Sequence, residues 1–179
     1  MVEQTKQAEV AGMADPYTRS RKNEVLEQKG EHGYVLLAGN ANKDLAEKVA
    51  ARLGTKLAEG NVRKFADGES GVDFRANDVS NRHCFIIQPT CKPVNDNLME
   101  LFLMISACRR SGAKSVSAIC PYYGYARADR KFNNVACPIS AAEVSGMLEF
   151  SGVDRIVTVD LHSLQTQGFV SSRVVFDDF

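Results

Sequence analysis

The segment Pro121–Lys131 is rich in side chains that could bind a ligand. It reads Pro-Tyr-Tyr-Gly-Tyr-Ala-Arg-Ala-Asp-Arg-Lys, which sets three tyrosines beside three cations and one carboxylate. Arginine pairs bidentately with phosphate oxygens, and tyrosine offers both a ring face and a hydroxyl. The composition predicts a site for a polyanion that also carries an aromatic base. A solvated loop with internal ion pairs would have the same composition.

Two further polar segments could contribute to a site. Asp160–Phe169 places His162 two residues after an aspartate, where an imidazole at a strand end could ligate a metal ion or contact a phosphate. A single histidine is more often a structural residue, so both interpretations stay open. The run Phe65-Ala66-Asp67-Gly68-Glu69 indicates only a surface turn when it is taken alone.

These segments lie between apolar runs that alternate with helical patterns. Tyr34–Ala38 is typical of a buried strand, and Asn42 follows it as a helix cap. Later strands are predicted over Cys84–Gln88, Ser115–Cys120 and Arg155–Asp160. The helical spacing is carried by Leu45, Val49 and Leu53, by Leu98, Leu101, Phe102, Ile105 and Cys108, and by Ile139, Val144, Met147 and Leu148.

The helix boundaries have their own signals. Gly54 is expected to end the first helix with a positive φ, Asn95 to cap the second, and Pro138 to occupy the first turn of the third. The segment Asn61–Phe74 interrupts this rhythm and predicts a hairpin that turns at Asp67-Gly68.

Strands that alternate with helices predict an α/β protein with a parallel twisted sheet covered by helices on both faces. In such sheets ligands bind beyond the carboxyl ends of the strands. The loops 88–97, 121–138 and 161–168 all leave such ends, so the topology and the residue chemistry point to the same edge of the sheet.

Composition narrows the class of protein. Lys+Arg and Asp+Glu number 22 each, which argues against a nucleic-acid or membrane-surface protein. Since no apolar run approaches a membrane span and the start lacks a targeting pattern, we expect a cytoplasmic protein. Residues 1–32 are polar and predicted to be a disordered extension. The five cysteines form no Cys-x-x-Cys pair and are expected to be buried hydrophobic residues.

Five segments together resemble the ribose-phosphate pyrophosphokinases, also called phosphoribosyl pyrophosphate synthetases. They occur in the order and near the spacing of that family, from about Tyr34 to the end of the chain. Neither the P-loop nor the dinucleotide-binding glycine motif is present. The resembling segments are Phe-Ala-Asp-Gly-Glu (65–69), Asn-Asp-Asn-Leu-Met-Glu-Leu (95–101), Pro-Tyr-Tyr-Gly-Tyr-Ala-Arg-Ala-Asp-Arg-Lys (121–131), Pro-Ile-Ser-Ala (138–141) and Asp-Leu-His-x-x-Gln-x-Gln-Gly-Phe (160–169).

The resemblance implies a phosphoribosyltransferase-like fold and the reaction of ATP with ribose 5-phosphate, in the presence of Mg²⁺, to give phosphoribosyl pyrophosphate and AMP. It assigns adenine binding, at a neighbouring subunit of a homo-oligomer, to the turn at 65–69 through Phe65, Asp67 and Glu69. Arg127 and Asp129 match the ATP-binding signature. His162 matches a residue at the Mg²⁺–triphosphate site, so Arg127 and His162 are the expected catalytic residues.

The chain also departs from the family pattern. Ala128 stands where the family usually has glutamine, and the residues after Lys131 are poor in cations. We expect residues 33–172 to form the N-terminal, ATP-side domain and residues 173–179 to begin the crossover to a second domain, which carries the ribose-phosphate loop. The chain alone is therefore expected to be inactive. The alternative is a non-catalytic regulatory subunit associated with a synthetase.

Overall fold

The computed structural model describes residues 33–131, 133–159 and 161–179. The prediction of a disordered extension over residues 1–32 lies outside the described residues. Within them the strands are β1 Tyr34–Ala38, β2 Gly60–Lys64, β3 Ser70–Phe74, β4 His83–Ile87, β5 Ser115–Cys120, β6 Arg155–Thr158 and β7 Val175–Asp178. The helices are α1 Lys43–Arg52, α2 Ala76–Val79, α3 Val94–Arg110 and α4 Ser140–Ser151, with a 3₁₀ helix over Leu164–Phe169.

The main sheet has five parallel strands in the order β1-β4-β5-β6-β7. Its register sets the carboxyl ends level, because one row of paired residues crosses the whole sheet near that edge. The row consists of Ala38, Ile87, Ile119, Val157 and Asp177. This arrangement confirms the predicted α/β class with a parallel sheet, and it brings the predicted ligand loops to one edge.

The core lies between this sheet and its helices. The central strands contribute fully buried residues such as Ile86, Ala118 and Ile156, because strands covered on both faces have few polar positions. Helix α3 buries Leu98, Leu101, Ile105 and Cys108, as the helical spacing predicts. In α1 the buried positions are instead Ala46 and Ala50, while Leu53 is exposed.

The local signals at the helix ends are confirmed in part. The Asn42 side chain accepts a hydrogen bond of 3.0 Å from the Leu45 N–H, and Gly54 follows α1 with a φ of 66°. Asn95 does not cap α3. The helix begins at Val94, two residues before the start that an Asn95 cap would give, because Pro93 takes the N-cap position and Asn95 falls inside the first turn. Pro138 likewise precedes α4, which begins at Ser140.

Strands β2 and β3 form the predicted antiparallel hairpin, a separate two-stranded sheet. Its apolar side packs on the core through Val62, Val72 and Phe74. The hairpin lies against α3, where Lys64 forms an ion pair with Asp96 in the first helical turn.

Residues 173–179 were expected to begin a crossover. In the structure they contain β7, which pairs in parallel with β6 and forms an edge of the main sheet. The apolar residues Val174 and Phe176 place this segment against the core, which explains why it adds a strand. The boundary with a second domain stays a prediction.

Candidate functional site

A cleft of about 600 Å³ opens at the carboxyl edge of the sheet. Two of the predicted loops line it, one after β5 and one after β6. The first contributes Tyr122, Tyr125, Arg127 and Ala128, and the second contributes Leu161 and His162. The parallel topology therefore brings together Arg127 and His162, which lie 35 positions apart in the sequence.

Arg127 and His162 are both exposed in this cleft. Neither side chain forms a hydrogen bond or an ion pair with another described residue. A guanidinium without a protein partner keeps all its donors for an incoming oxyanion, and a solvated imidazole can donate, accept or ligate a metal. Among the described residues, these two groups are the charged or metal-ligating side chains that line the cleft.

The tyrosines divide between the cleft and the core. Tyr122 and Tyr125 are half exposed, whereas Tyr123 is buried. The Tyr123 hydroxyl forms a hydrogen bond of 2.9 Å with the Ser145 hydroxyl, and its ring packs edge-on against Phe176. Burial raises the pKa of the Tyr123 phenol well above its ordinary value, so it stays neutral. Tyr123 thus supports the loop, and only two of the three tyrosines present substantial surface to a ligand.

Tyr125 has a φ of 65°, a left-handed conformation that costs a non-glycine residue about 1 kcal/mol. Its hydroxyl donates a hydrogen bond to the Asn95 side chain on α3, which holds the ring in that position. Since such conformations concentrate at functional sites, Tyr125 is a further candidate for contact with a ligand.

Thr90 joins the loop after β4 to the loop after β5. Its N–H and hydroxyl donate to the Tyr122 carbonyl at 2.9 and 3.1 Å, and its hydroxyl accepts from the Gly124 N–H at 2.6 Å. Gly124 is required for this approach, because a Cβ there would lie 2.8 Å from the Thr90 carbonyl oxygen. Sequence analysis placed Thr90 in the loop 88–97 without assigning it a role, because its partners lie in the loop after the neighbouring strand β5.

Asp129 is buried, unlike Arg127 two residues before it. Its two carboxylate oxygens accept hydrogen bonds of 2.8 and 2.9 Å from the Arg130 guanidinium. The Arg130 guanidinium, with a smaller contribution from the Ser163 hydroxyl, holds the pKa of Asp129 well below its ordinary range. The structure therefore pairs this predicted ATP-binding residue with Arg130.

The Asp178 carboxylate holds the loop that carries His162. Asp178, at the end of β7, accepts hydrogen bonds from the Thr158 hydroxyl at 2.8 Å and from the Leu161 N–H at 3.2 Å. Sequence reasoning missed Asp178 because no pattern in the sequence indicates that β7 lies next to β6. Asp160, the other carboxylate of this segment, lies outside the described residues.

The turn at Phe65, Asp67 and Glu69 does not line the cleft. All three residues are exposed at the tip of the hairpin, where the Arg63 guanidinium lies 5.1 Å from the centre of the Phe65 ring. The Asp67 carboxylate accepts a hydrogen bond of 3.0 Å from the Glu69 N–H and shapes the turn. Their predicted contact with adenine stays a prediction.

The described residues contain no group of three or more His, Cys, Asp or Glu side chains placed to hold a metal ion. Mg²⁺ commonly keeps several waters and binds through one or two protein ligands together with the phosphates of a substrate. His162 at an open cleft is compatible with that mode, in which most ligands arrive with the nucleotide. The same described residues include no helix with the length and apolar character needed to cross a membrane.

Fold and site together define an α/β protein with an open cleft, lined by Arg127 and His162, at the carboxyl edge of a parallel sheet. Residues 34–152 match the family model described as the N-terminal domain of ribose phosphate pyrophosphokinase. The chain belongs to this family.

Relatives and a solved structure agree with the family model. The chain is 49% identical over 134 residues to ribose-phosphate pyrophosphokinase 1 of Streptococcus pyogenes serotype M1, and 48% identical to the enzyme of that name from Streptococcus pneumoniae. Each match covers 75% of this chain and 41% of the relative. The crystal structure of phosphoribosylpyrophosphate synthetase from Mycobacterium smegmatis matches with a TM-score of 0.77 and 39% identity, over 83% of this chain and 48% of that one.

Proposed function

We propose that this chain supplies the ATP side of a ribose-phosphate diphosphokinase, which transfers the β,γ-diphosphoryl group of ATP to C1 of ribose 5-phosphate. The observation that carries the proposal is that Arg127 and His162 line the same tyrosine-bordered cleft. Neither side chain is bonded to another described residue. Membership of the pyrophosphokinase family supports the same reaction.

In this reaction the C1 hydroxyl of the sugar attacks the β-phosphorus of ATP. The bond from that phosphorus to the α,β-bridging oxygen breaks, AMP leaves with the bridging oxygen, and the hydroxyl proton is lost. Such a transfer depends on alignment and on neutralising phosphate charge. Arg127 would stabilise the charge on the phosphate oxygens, and Tyr122 and Tyr125 would border the nucleotide.

Mg²⁺ would enter with the triphosphate and supply charge neutralisation there. His162 is the described residue that would hold it, either directly or through water. Asp129 would act by positioning, because its carboxylate is already bonded to Arg130.

Adenine recognition is proposed to come from a neighbouring copy. Phe65, Asp67 and Glu69 project at the hairpin tip and do not line the cleft of their own chain, so a homo-oligomer would be needed to bring them to a nucleotide. We further propose that the protein acts in the cytoplasm, with ATP and ribose 5-phosphate as small-molecule partners.

We propose that ribose 5-phosphate binds to a portion equivalent to the part of the curated relatives that this chain does not match. The chain spans 41% of the length of its curated relatives, and by itself it is expected to be inactive. A second candidate function is a non-catalytic regulatory subunit. Ala128 favours it, since a methyl group lines the cleft where the family usually places an amide.

Binding of a fluorescent ATP analogue to the purified chain, with Mg²⁺, tests the proposed site. We expect saturable binding that ATP competes away and that Arg127→Ala and His162→Ala each weaken by about tenfold or more. Arg52→Ala, on the exposed face of α1, is the matched control and should bind as the unchanged chain does. Equal binding by all three variants would contradict the assignment of the cleft.

A further inference from the structure

A buried polar cluster lies beside the hairpin at the carboxyl ends of β1 and β4. It consists of Asn40, Gln88 and Glu100, which we call the polar clasp. Gln88 is fully buried and Glu100 is 7% exposed, whereas Asn40 reaches the surface. The sequence analysis assigned no role to any of the three, although Glu100 lies in the segment 95–101, and none lines the cleft.

The Glu100 carboxylate accepts three hydrogen bonds within the clasp. One oxygen accepts from the Asn40 N–H at 3.1 Å and from the Gln88 amide at 2.9 Å, and the other accepts from the Asn40 side-chain amide at 2.9 Å. No described cation forms a salt bridge with it. A buried carboxylate held only by neutral donors is costly unless every bond is made, so Glu100 fixes the orientation of both partners.

Asn40 connects the polar clasp to the hairpin. Its side-chain amide donates a second hydrogen bond, of 2.9 Å, to the Val62 carbonyl in the middle of β2. The nitrogen therefore bridges the Glu100 carboxylate and the hairpin backbone. Two residues further along, the Lys64–Asp96 ion pair provides another attachment.

The loop after β1 is shaped to allow this contact. The Gln88 side chain also accepts from the Ala41 N–H at 3.1 Å and donates to the Asn97 carbonyl at 3.2 Å. A Cβ at Gly39 would lie 2.2 Å from the Gln88 amide oxygen, so only glycine admits the side chain there. The clasp thus joins β1, β4 and α3 to one point on the hairpin.

We propose that Asn40 and Glu100 are positioning residues for the hairpin turn that carries Phe65, Asp67 and Glu69. The proposal rests on the function proposed above, in which that turn contacts adenine. A two-stranded hairpin is marginally stable by itself, so its position depends on its attachments to the rest of the fold. The clasp fixes β2 three residues before Phe65 and thereby limits where the turn can lie.

Two substitutions test the effect of the clasp on the hairpin separately from its effect on global stability. Glu100→Gln keeps the shape but puts an N–H₂ group where an oxygen accepts, so one donor of Asn40 or Gln88 loses its partner. Asn40→Ala removes the bridge at an exposed position and leaves the core intact. The matched controls are Glu143→Gln and Asn61→Ala, exposed residues of the same types whose side chains have no hydrogen-bond partner among the described residues.

Hydrogen–deuterium exchange on the purified chain provides the first readout. We expect the amides of residues 60–74 to exchange about tenfold faster in Asn40→Ala and Glu100→Gln than in the controls, while those of β5 stay unchanged. Unchanged exchange over 60–74 would overturn the proposal. Uniform acceleration across hairpin and β5 would also overturn it, because it would show only a loss of global stability.

Ligand binding provides the second readout. Both clasp variants should weaken binding of Mg·ATP severalfold while leaving binding of inorganic tripolyphosphate unchanged, because only the adenine contact depends on the hairpin. Equal affinity for ATP in variants whose hairpin exchange is accelerated would contradict the positioning role. If the unchanged chain binds neither ligand, the proposed function fails, and the exchange rates still decide whether the clasp holds the hairpin.

Discussion

Arg127 and Asp129 lie two residues apart, and the fold gives them different surroundings. The sequence motif assigned both to ATP, yet only Arg127 is left exposed at the cleft, while Asp129 is buried against Arg130. A motif predicts which residue types gather at a site. It does not predict which of them bond one another, because that depends on side-chain packing around the loop.

Replacing Arg127 by lysine tests how the guanidinium is used. Lysine keeps the charge but lacks the planar pair of donors that matches two phosphate oxygens. We expect Arg127→Lys to bind Mg·ATP more weakly than the unchanged chain and more tightly than Arg127→Ala. Competition against a fluorescent analogue measures this. Affinity equal to that of the unchanged chain would show that the site needs only a point charge.

Asp129 gives the chain a predictable response to acid. Because its pKa is lower in the folded state than in the unfolded chain, its contribution to stability is present above the ordinary aspartate value of about 4. That contribution is lost as the pH falls from there towards the lower folded-state value.

Asp129→Asn should therefore unfold at a lower temperature than the unchanged chain at neutral pH, with the two midpoints converging below about pH 4. Thermal unfolding followed by circular dichroism across this range measures the difference. A gap that stays constant down to the lowest pH would show that the Arg130 ion pair is not its cause. Asp44→Asn, in an exposed ion pair on α1, is the control and should change the midpoint little.

At the scale of elements, the sequence predicted the strands better than the helix starts. The predicted bounds of β1 and β5 are those observed, since each is an apolar run bounded by turn residues. The Asn95 cap was wrong because Pro93 offered a competing helix start. The packing of the hairpin on α3 had no local signal, because its Lys64–Asp96 ion pair joins residues 32 positions apart.

The attachment of the His162 loop to β7 makes a prediction at this scale. Asp178 holds the Leu161 N–H and the Thr158 hydroxyl, so Asp178→Ala should loosen the segment that carries His162. We expect faster amide exchange in residues 159–163 and weaker binding of Mg·ATP, with the amides of β4 unaffected. The control is Asp73→Ala, on the exposed side of the hairpin, which should leave amide exchange unchanged both in β4 and in residues 159–163. Protection of residues 159–163 equal to that in the unchanged chain would contradict the anchoring role.

At the scale of the whole molecule, the cysteines report on the integrity of the core. The sequence analysis predicted that all five cysteines are buried. This is confirmed for Cys84, Cys108 and Cys120, but Cys91 and Cys137 are partly exposed. Burial raises the pKa of the Cys120 thiol to about 12, which suppresses the reactive thiolate.

A thiol reagent should accordingly modify Cys91 and Cys137 in the native chain and reach the three buried cysteines only in denaturant. Mass spectrometry of peptides after timed labelling identifies the sites. Rapid native labelling of Cys120 would contradict the packing of β5 between its neighbours.

The proposed function makes this chain the ATP side of a ribose-phosphate diphosphokinase. The most direct test is ribose-5-phosphate-dependent release of AMP from Mg·ATP, measured for the purified chain and for a chimera. In the chimera, residues 33–170 replace the matching N-terminal segment of the Streptococcus pyogenes relative. The account predicts no AMP from the chain alone, and AMP release by the folded chimera that is lost on His162→Ala. Turnover by the chain alone, or a folded chimera without activity, would contradict it.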